Sequence, residues 1–524
     1  METVLLDRFR AIGAETPKNI LGEGVAAVWD EAQEQLTCWR DQLGVRPFYF
    51  VHQPGRRFVF SSDLRTLTAH PQVPLELDLD YCRAVFEHAH RFQHPHRTLC
   101  AGVRKLEGGH LLQVSRRGLH MRRYWDPAEI RPRRYADAGE YLEELRTLLE
   151  GSIRCRVASP THTAAAHLSG GLDSSSVAAI AHKAQVEKGK TLVAYSWAPP
   201  HDHLGAIERD ERPLARAVAD DHGLPLEFTT LDPQDFLAHE TRDLPVQPST
   251  TLQVELATSR AARQRGASIM LSGWGGDEFA VFNGRGYFGA LTTRGRWKAL
   301  LREMRLRGEL HGDSVLVQLR SRALLPLVPD PLLGLLPRAG SRRGFAWPEC
   351  LRPEFVHALE RAERFEPASL RERPGVRRTQ LELLRYGHLQ YRTESWASHG
   401  ADIGMTYAFP LLDRRIVEFA LSVPDHLYFT NGWKRWMYRA AMQGVLPDRV
   451  RWNPHKFDNA MLAQLRANRA RASDAFREQL MAHRDNPYID VEKVGTAPPP
   501  GPDDPPRVPD AAATWLAFTK VLPA

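Results

Sequence analysis

Two stretches of the chain combine serine, glycine and acidic residues in an order suited to binding a phosphorylated ligand. The first, "HLSGGLDSSS", covers residues 167–176, and the second, "LSGWGGDE", covers residues 271–278. Glycine permits a tight turn and a close approach of the backbone to an anion. The carboxylate after each glycine turn would repel a phosphate unless a cation lay between them, which indicates Mg²⁺. The first stretch lacks the lysine of the GxxxxGK[ST] pattern, so it is not the phosphate loop of a kinase or GTPase.

The elements around these stretches predict where they lie. The segments "THTAAAHL", "TLVAYSW", "PLEFTTL" and "ASIMLSGW" have the composition of buried strands, and helical patterns separate them along the chain. This alternation predicts a parallel sheet covered by helices on both faces, with ligands bound at the carboxyl ends of its strands. Either stretch alone is equally compatible with a tight turn and a helix N-cap. Together, at the ends of two strands, they predict one nucleotide site.

The N-terminal part of the chain follows a different pattern. Between residues 22 and 124 short strands and turn signals predominate, "FYFVH" and "RFVFSS" flank a hairpin turn, and "DLDYCRAVFEHAHRF" is the one predicted helix. The polar, proline-containing segment 126–139 indicates a boundary. We therefore predict two domains, a β-rich α+β domain at residues 1–130 and an α/β domain with a helix-flanked parallel sheet at residues 131–524.

The composition is that of an ordinary soluble globular protein. The chain of 524 residues has 43% hydrophobic residues, a net charge of +7 and five scattered cysteines without metal-ligand spacing. These features predict a cytoplasmic protein with reduced thiols. No signal peptide is visible, and four prolines interrupt the most apolar segment, residues 324–337, which excludes a transmembrane helix there. The basic charge is not accompanied by a nucleic-acid-binding motif, so we predict no nucleic-acid partner.

Further motifs point to one family. With "RDQLGVRPFYF", "FPLLDRRIVEFALSVPDHL", "KRWMYRAAM" and "LPDRVRWNPHK", the chain resembles the asparagine synthetase superfamily over nearly its whole length, and "SGGLDSS" resembles the PP-loop of ATP pyrophosphatases. The resemblance implies a degenerate glutaminase-like domain of the Ntn type followed by a PP-loop synthetase domain. It also implies that Mg–ATP adenylates a carboxylate, that an amine attacks the acyl-AMP, and that AMP and pyrophosphate are released.

The same resemblance implies roles for individual residues. Asp173 and Asp277 match positions that hold Mg²⁺, and Lys456 matches a catalytic lysine that stabilises charge on the phosphates. For Ser196 a turn role competes with nucleotide contact. For Lys434 and Arg439, pairing on a helix surface competes with phosphate binding. The positions that match ATP contacts are Leu168, Ser169, Gly170, Gly171, Asp173, Ser174, Ser196, Ser272 and Gly273.

Two departures from the family pattern narrow the reaction. Glu2 stands where the glutaminases have their catalytic cysteine, and Trp274 stands where β-lactam synthetases have a tyrosine and asparagine synthetases a glutamate. Tryptophan is not a base, so we interpret Trp274 as core packing or as a stacking surface. The motifs most resemble lasso-peptide macrolactam synthetases, which implies the core peptide of a ribosomal precursor as substrate, and a leader peptidase and a leader-binding protein as further partners. The alternatives are another amide ligase of this type and a catalytically silent nucleotide-binding subunit.

Overall fold

The computed structural model describes residues 2–73, 76–88, 94–204, 210–235, 252–333, 347, 350–365 and 371–455, together with scattered positions between 460 and 493. Lys456, the predicted catalytic lysine, lies outside the described residues. Within the described part of the chain, no helix is long and apolar enough to cross a membrane.

Two antiparallel sheets form the N-terminal domain. One has the strand order β1-β2-β6-β7 and the other β4-β3-β5. The predicted hairpin is confirmed, because β3 and β4 pair antiparallel through Val51 and Val59. The strands are β1 (Val25–Asp30), β2 (Gln35–Arg40), β3 (Tyr49–Gln53), β4 (Arg57–Ser61), β5 (Arg104–Lys105), β6 (His110–Ser115) and β7 (Gly118–Arg123).

The two sheets pack against each other. Cys38 and Leu112 of the first sheet share one buried cluster with Phe50 of the second, as the alternation of apolar and polar residues along these strands requires. The helices are α1 (Glu2–Ile12), α2 (Leu64–Thr68) and α3 (Leu79–His88). The prediction of a single helix between residues 22 and 124 is wrong, because α2 was missed besides α3, and α1 precedes that region. Helix α2 is only five residues long, and its N-cap Asp63 accepts a hydrogen bond from the amide of Thr66. Such a short helix has no periodic pattern to reveal it.

A parallel sheet forms the centre of the C-terminal domain, as predicted, and it has five strands where four were predicted. The strand order is β10-β9-β8-β11-β12. Strand β8, which comes first in the chain among these five, therefore lies in the middle of the sheet beside β11, which comes fourth. The strands are β8 (Ala164–His167), β9 (Val193–Ser196), β10 (Leu226–Phe228), β11 (Ile269–Leu271) and β12 (Thr406–Ala408). The chain reverses its direction of winding between β8 and β11, which is where open α/β sheets bind ligands.

Both faces of this sheet are buried. Ala164 and Ala166 of β8 belong to one apolar cluster and Ala165 to another on the opposite face, which confirms the predicted covering on both sides. The helices are α4 (Ala138–Arg156), α5 (Leu172–Val186), α6 (His201–Leu204), α7 (Arg212–His222), α8 (Leu252–Gln264), α9 (Tyr287–Thr293), α10 (Trp297–His311), α11 (Val315–Gln318), α12 (Asp330–Leu333), α13 (Pro353–Arg361), α14 (Val376–Arg385), α15 (His388–Ile403), α16 (Arg414–Ser422), α17 (Asp425–Tyr428), α18 (Trp436–Ala441) and α19 (Asp448–Arg451). A hairpin of β13 (Phe429–Thr430) and β14 (Trp433–Lys434) precedes α18.

Polar contacts join the two sheet systems. Arg46 donates a hydrogen bond of 2.9 Å to the carbonyl oxygen of Tyr407 in β12, and Trp125 Nε1 donates one of 2.8 Å to Glu418. The segment "RDQLGVRPFYF" therefore has a structural role, because Arg46 lies within it and bonds directly to the parallel sheet. Strand β7 ends at Arg123 and α4 begins at Ala138; the domain boundary at residue 130 stays a prediction.

Candidate functional site

The two glycine-containing stretches form neighbouring loops. Strand β8 pairs with β11 in parallel, with Ala166 opposite Leu271. The first stretch leaves β8 and enters α5, and the second leaves β11. We call residues 168–174, which run from the end of β8 into the first turn of α5, the first glycine loop, and residues 272–277, which follow β11, the second glycine loop. Their convergence confirms that the two motifs lie at adjacent strand ends.

Glycine is required where these loops contact one another. A Cβ atom added at Gly273 would lie 2.5 Å from the amide nitrogen of Ser174, and one added at Gly276 would collide with the carboxylate of Asp173. Gly170 has φ +87°, and a Cβ there would lie 2.7 Å from the carbonyl oxygen of Glu211. The absence of side chains at these positions lets the second loop lie against the first turn of α5, and the N-terminus of a helix suits an anion.

Replacing Gly273 with alanine is expected to weaken ATP binding severely, because the new methyl group must displace the backbone of Ser174 at the start of α5. We expect a loss of at least tenfold in affinity, measured by titration calorimetry. Gly151→Ala is the matched control, because Gly151 lies within α4 with nothing within 4 Å of its added Cβ. Equal ATP affinity in the two variants would contradict this account of the loop contact.

The hydroxyl groups of the first loop bond to one another. Ser169 Oγ and Ser174 Oγ lie 2.9 Å apart, and the amide of Ser169 donates to Ser174 Oγ at 3.1 Å. Ser196, at the end of β9, is 2% exposed, and its hydroxyl accepts a hydrogen bond from the amide of Ala198. That contact supports the turn role for Ser196; its contact with a nucleotide stays a prediction.

The two predicted metal ligands have different surroundings. Asp173 lies in the first turn of α5 against Gly276, whereas Asp277 forms an ion pair of 2.7 Å with Arg435. Arg435 and Tyr438 were not predicted as site residues, and the hydroxyl of Tyr438 contacts Ser176 in α5. Burial, followed by the charge of Asp173, raises the pKa of Tyr438.

Two carboxylates on adjacent glycine loops fit Mg²⁺, which usually takes one or two protein carboxylates and completes its octahedron with substrate phosphates and water. A site of this kind does not need three protein ligands. In the described part of the chain, no group of three or more His, Cys, Asp or Glu residues could hold a metal. The assignment of Asp173 and Asp277 to Mg²⁺ stays a proposal.

Arg439 anchors the backbone that leads to Lys456. Its guanidinium group donates to the carbonyl oxygens of Lys434 and Asn453 at 2.9 and 3.0 Å and also bonds to that of Arg451. The side chain is buried, at 4% exposure. Arg439 is therefore not paired on an exposed helix surface, since its described hydrogen bonds go to the main chain. Phosphate binding by Arg439 stays a prediction.

The pKa of Lys434 makes the stability of the protein depend on pH. Burial, followed by the charges of Arg307 and Arg322, lowers this pKa from 10.5 to about 8. Between pH 8 and 10.5 the unfolded chain therefore binds more protons at Lys434 than the folded chain does, and stability from this residue rises with pH. We expect Lys434→Met to be more stable than the wild type at pH 7.

The stability difference between the wild type and Lys434→Met should shrink from pH 8 to 10.5, because the other titrating groups are common to both. Urea unfolding at several pH values measures it. A difference that stays constant over this range would show that Lys434 titrates normally.

A partly buried cluster of charged and aromatic groups surrounds Trp274 and was not predicted. The guanidinium carbon of Arg392 lies 3.7 Å from the centroid of the Trp274 ring. Glu278 and His388 form a pair of 2.9 Å beside this ring. Burial lowers the pKa of Arg392, and the charges of Glu255 and Glu278 oppose that shift. Trp274 is thus held between packed groups, which supports its interpretation as core packing.

Comparison with known proteins gives a family for both parts of the chain. Residues 144–515 match the family model described as asparagine synthase, and residues 2–125 match the model described as glutamine amidotransferase domain. The first of these matches covers more than half of the chain.

Similar curated proteins share low sequence identity with this chain. Asparagine synthetase [glutamine-hydrolyzing] 3 of Bacillus subtilis is 23% identical over 446 residues, 81% of this chain and 65% of the relative. A putative asparagine synthetase [glutamine-hydrolyzing] 2 of Methanocaldococcus jannaschii is 27% identical over 179 residues, 34% of each chain. Amidase chry2 of Gibberella zeae is 25% identical over 295 residues, 52% of this chain and 42% of the relative. The chain thus spans less than two thirds of the length of each of these relatives.

Proposed function

Because the chain belongs to the asparagine synthase family, we propose that it is an ATP-dependent amide ligase that closes a macrolactam ring in the core peptide of a ribosomal precursor. An Asp or Glu side chain of the peptide is the electrophile, and the N-terminal amine of the same peptide is the nucleophile. AMP and pyrophosphate are the other products.

One observation carries the ATP-dependent part of this proposal, namely the contact between the two glycine loops at the ends of β8 and β11. The contact of Gly273 with Ser174 and of Gly276 with Asp173 brings amide groups, hydroxyl groups and carboxylates to one place. Amide groups at a helix N-terminus suit phosphate oxygens, and the carboxylates suit the accompanying cation. Asp173 and Asp277 would hold Mg²⁺, which when bound neutralises charge on the phosphates.

The chemistry of the cysteines favours an amine from the peptide over ammonia released from glutamine. A thiolate is the reactive form of cysteine. Burial raises the pKa of Cys38 to about 12 and that of Cys100 to about 11. Burial also raises the pKa of Cys82 well above its ordinary value. The three cysteines in the region that matches the amidotransferase model are therefore poor nucleophiles.

The reaction has two balanced steps. A carboxylate oxygen of the peptide attacks the α-phosphorus of ATP, the bond to the β-phosphate oxygen breaks, and pyrophosphate leaves. The peptide amine then attacks the acyl carbon, AMP leaves, and the amine loses a proton. Lys456 would stabilise the negative charge on the phosphates in both steps. The second step is intramolecular, because the amine and the acyl group belong to one peptide, and the protein would hold the two groups in a reactive orientation.

The decisive experiment incubates the purified protein with Mg–ATP and a leaderless candidate core peptide. We expect AMP and pyrophosphate in equal amounts, and a peptide product lighter by one water in mass spectrometry. A matched peptide with Asn or Gln at the acceptor position is the control. It should give no AMP, no pyrophosphate and no peptide of lower mass. ATP turnover only with aspartate and ammonia would favour an asparagine synthetase reaction instead. No turnover with either substrate would favour the silent nucleotide-binding subunit.

A further inference from the structure

A cavity lined by positively charged side chains lies beyond the second glycine loop. It has a volume of about 160 Å³, which corresponds to about five water molecules at their volume in the liquid and is large enough for one small oxyanion. Five separate segments form it, so it is a built cavity within the tertiary structure. The residues used below line its wall: Arg285, Arg307, Arg322, Glu372 and Lys434.

The charges that face this cavity are mainly positive. Three arginines and one lysine line it against a single lining carboxylate, Glu372, which already accepts a hydrogen bond of 2.6 Å from the amide of Gly286. Arg307 also pairs with Asp313 nearby. Four cations against these two carboxylates leave an excess of positive charge.

Two arginines of this cavity, Arg285 and Arg307, have energetically unfavourable surroundings. Arg307 is 3% exposed. Burial, followed by the charge of Arg322, lowers its pKa, and Asp313 opposes the shift. The Nε atoms of Arg285 and Arg307 are buried and have no hydrogen-bond partner among the described residues. Buried cations and unsatisfied donors are costly, and an anion in the cavity would relieve both.

The cavity lies next to the predicted reaction centre. Lys434 in its wall immediately precedes Arg435, which pairs with Asp277 and also bonds to the carbonyl oxygen of Val281. Arg285 belongs to the chain that continues from the second glycine loop. A group bound here would therefore lie beside the loops that bind the nucleotide, without contacting the first loop.

We propose that the cavity lined by Arg285, Arg307, Arg322 and Lys434 binds an oxyanion, either a carboxylate of an acidic substrate or a phosphate group. Only the interpretation of this cavity as a substrate site rests on the proposed function. Binding of an anion to the cavity is measured without ATP. Failure of ligase activity and failure of anion binding are therefore separate results.

Titration calorimetry at pH 7 with inorganic phosphate and, separately, with succinate tests this proposal. Arg322→Gln should weaken binding of the recognised anion about tenfold or more, since it removes a charge-assisted hydrogen bond. Arg320→Gln is the matched control, because Arg320 is exposed two residues away and is not part of the wall. Thermal unfolding of each variant shows whether the fold is retained.

Glu372→Gln should change the affinity for the anion in the opposite direction to Arg322→Gln. It removes the lining negative charge but keeps an oxygen for the amide of Gly286, so anion binding should become tighter. An effect of both changes on phosphate alone identifies a phosphate site, and an effect on succinate identifies a carboxylate site. If neither anion responds to Arg322→Gln and Glu372→Gln, any binding occurs elsewhere, for example at the glycine loops, and the proposal is overturned.

Discussion

Replacing Asp173 with asparagine is expected to reduce AMP formation by about a thousandfold or more. The carboxylate lies in the first turn of α5 against Gly276, where the two glycine loops meet. Asparagine has nearly the same shape but lacks the negative charge that a Mg²⁺ ligand supplies. A cation at phosphoryl groups contributes several kcal/mol, and about 4 kcal/mol corresponds to a thousandfold in rate.

Release of AMP and pyrophosphate under saturating ATP measures this effect, and Mg²⁺ titration separates metal binding from the chemical step. Asp220→Asn is the control, because Asp220 is exposed on α7. The thermal unfolding midpoint should be the same in both variants. An activity of Asp173→Asn within about tenfold of the wild type would refute the role of Asp173 at the metal.

Replacing Glu394 with alanine is expected to destabilise the protein by about 3–5 kcal/mol, the range for removal of one partner from a buried ion pair. Glu394 is 1% exposed and lies 2.9 Å from Arg40 and 3.2 Å from Lys105, which both belong to strands of the N-terminal domain. Arg40 is fully buried. Without the glutamate, both cations remain buried and lose their partner. Since the contact joins the two sheet systems, the loss also weakens their association.

Denaturant unfolding measures this destabilisation, and Glu360→Ala on the exposed surface of α13 is the control. Burial raises the pKa of Glu394, but Lys105 and Arg40 oppose this, and the net result is a pKa below its ordinary value of 4.5. For a depressed carboxyl pKa the stability is present above the unfolded value and is lost as pH falls through the folded one. The difference in free energy of unfolding between the wild type and Glu394→Ala should therefore become smaller below pH 4.5. A difference that stays constant into acid would contradict the ion-pair explanation.

The parallel sheet and its two loops were predictable because their signals are local. Each of the strands β8, β9, β10 and β11 is a short apolar run next to a helix, and glycine after a strand marks a turn whatever the rest of the chain does. Strand β12 was not predicted. It has three residues and lies at the edge of the sheet, where its identity depends on pairing with β11.

The charged pairs that were not predicted join distant parts of the chain. Arg435 and Asp277 are 158 residues apart and meet at 2.7 Å, and Arg40 and Glu394 are 354 residues apart. Arginine and glutamate are common on protein surfaces, so their types do not indicate a buried pair. The same holds for Trp274, whose packing on Arg392 appears only when α15 lies beside the second glycine loop.

The strands β8 to β11, the two glycine loops and the resemblance to the family were predictable from the sequence, because glycine turns, apolar periodicity and short motifs extend over a few residues. Which charges face one another became visible in the folded chain: Asp277 with Arg435, Glu394 with Arg40, and the four cations around the cavity. The reason is physical, since the energy of a charge depends on its burial and on neighbours within a few ångströms. Those neighbours come from elements far apart in the chain.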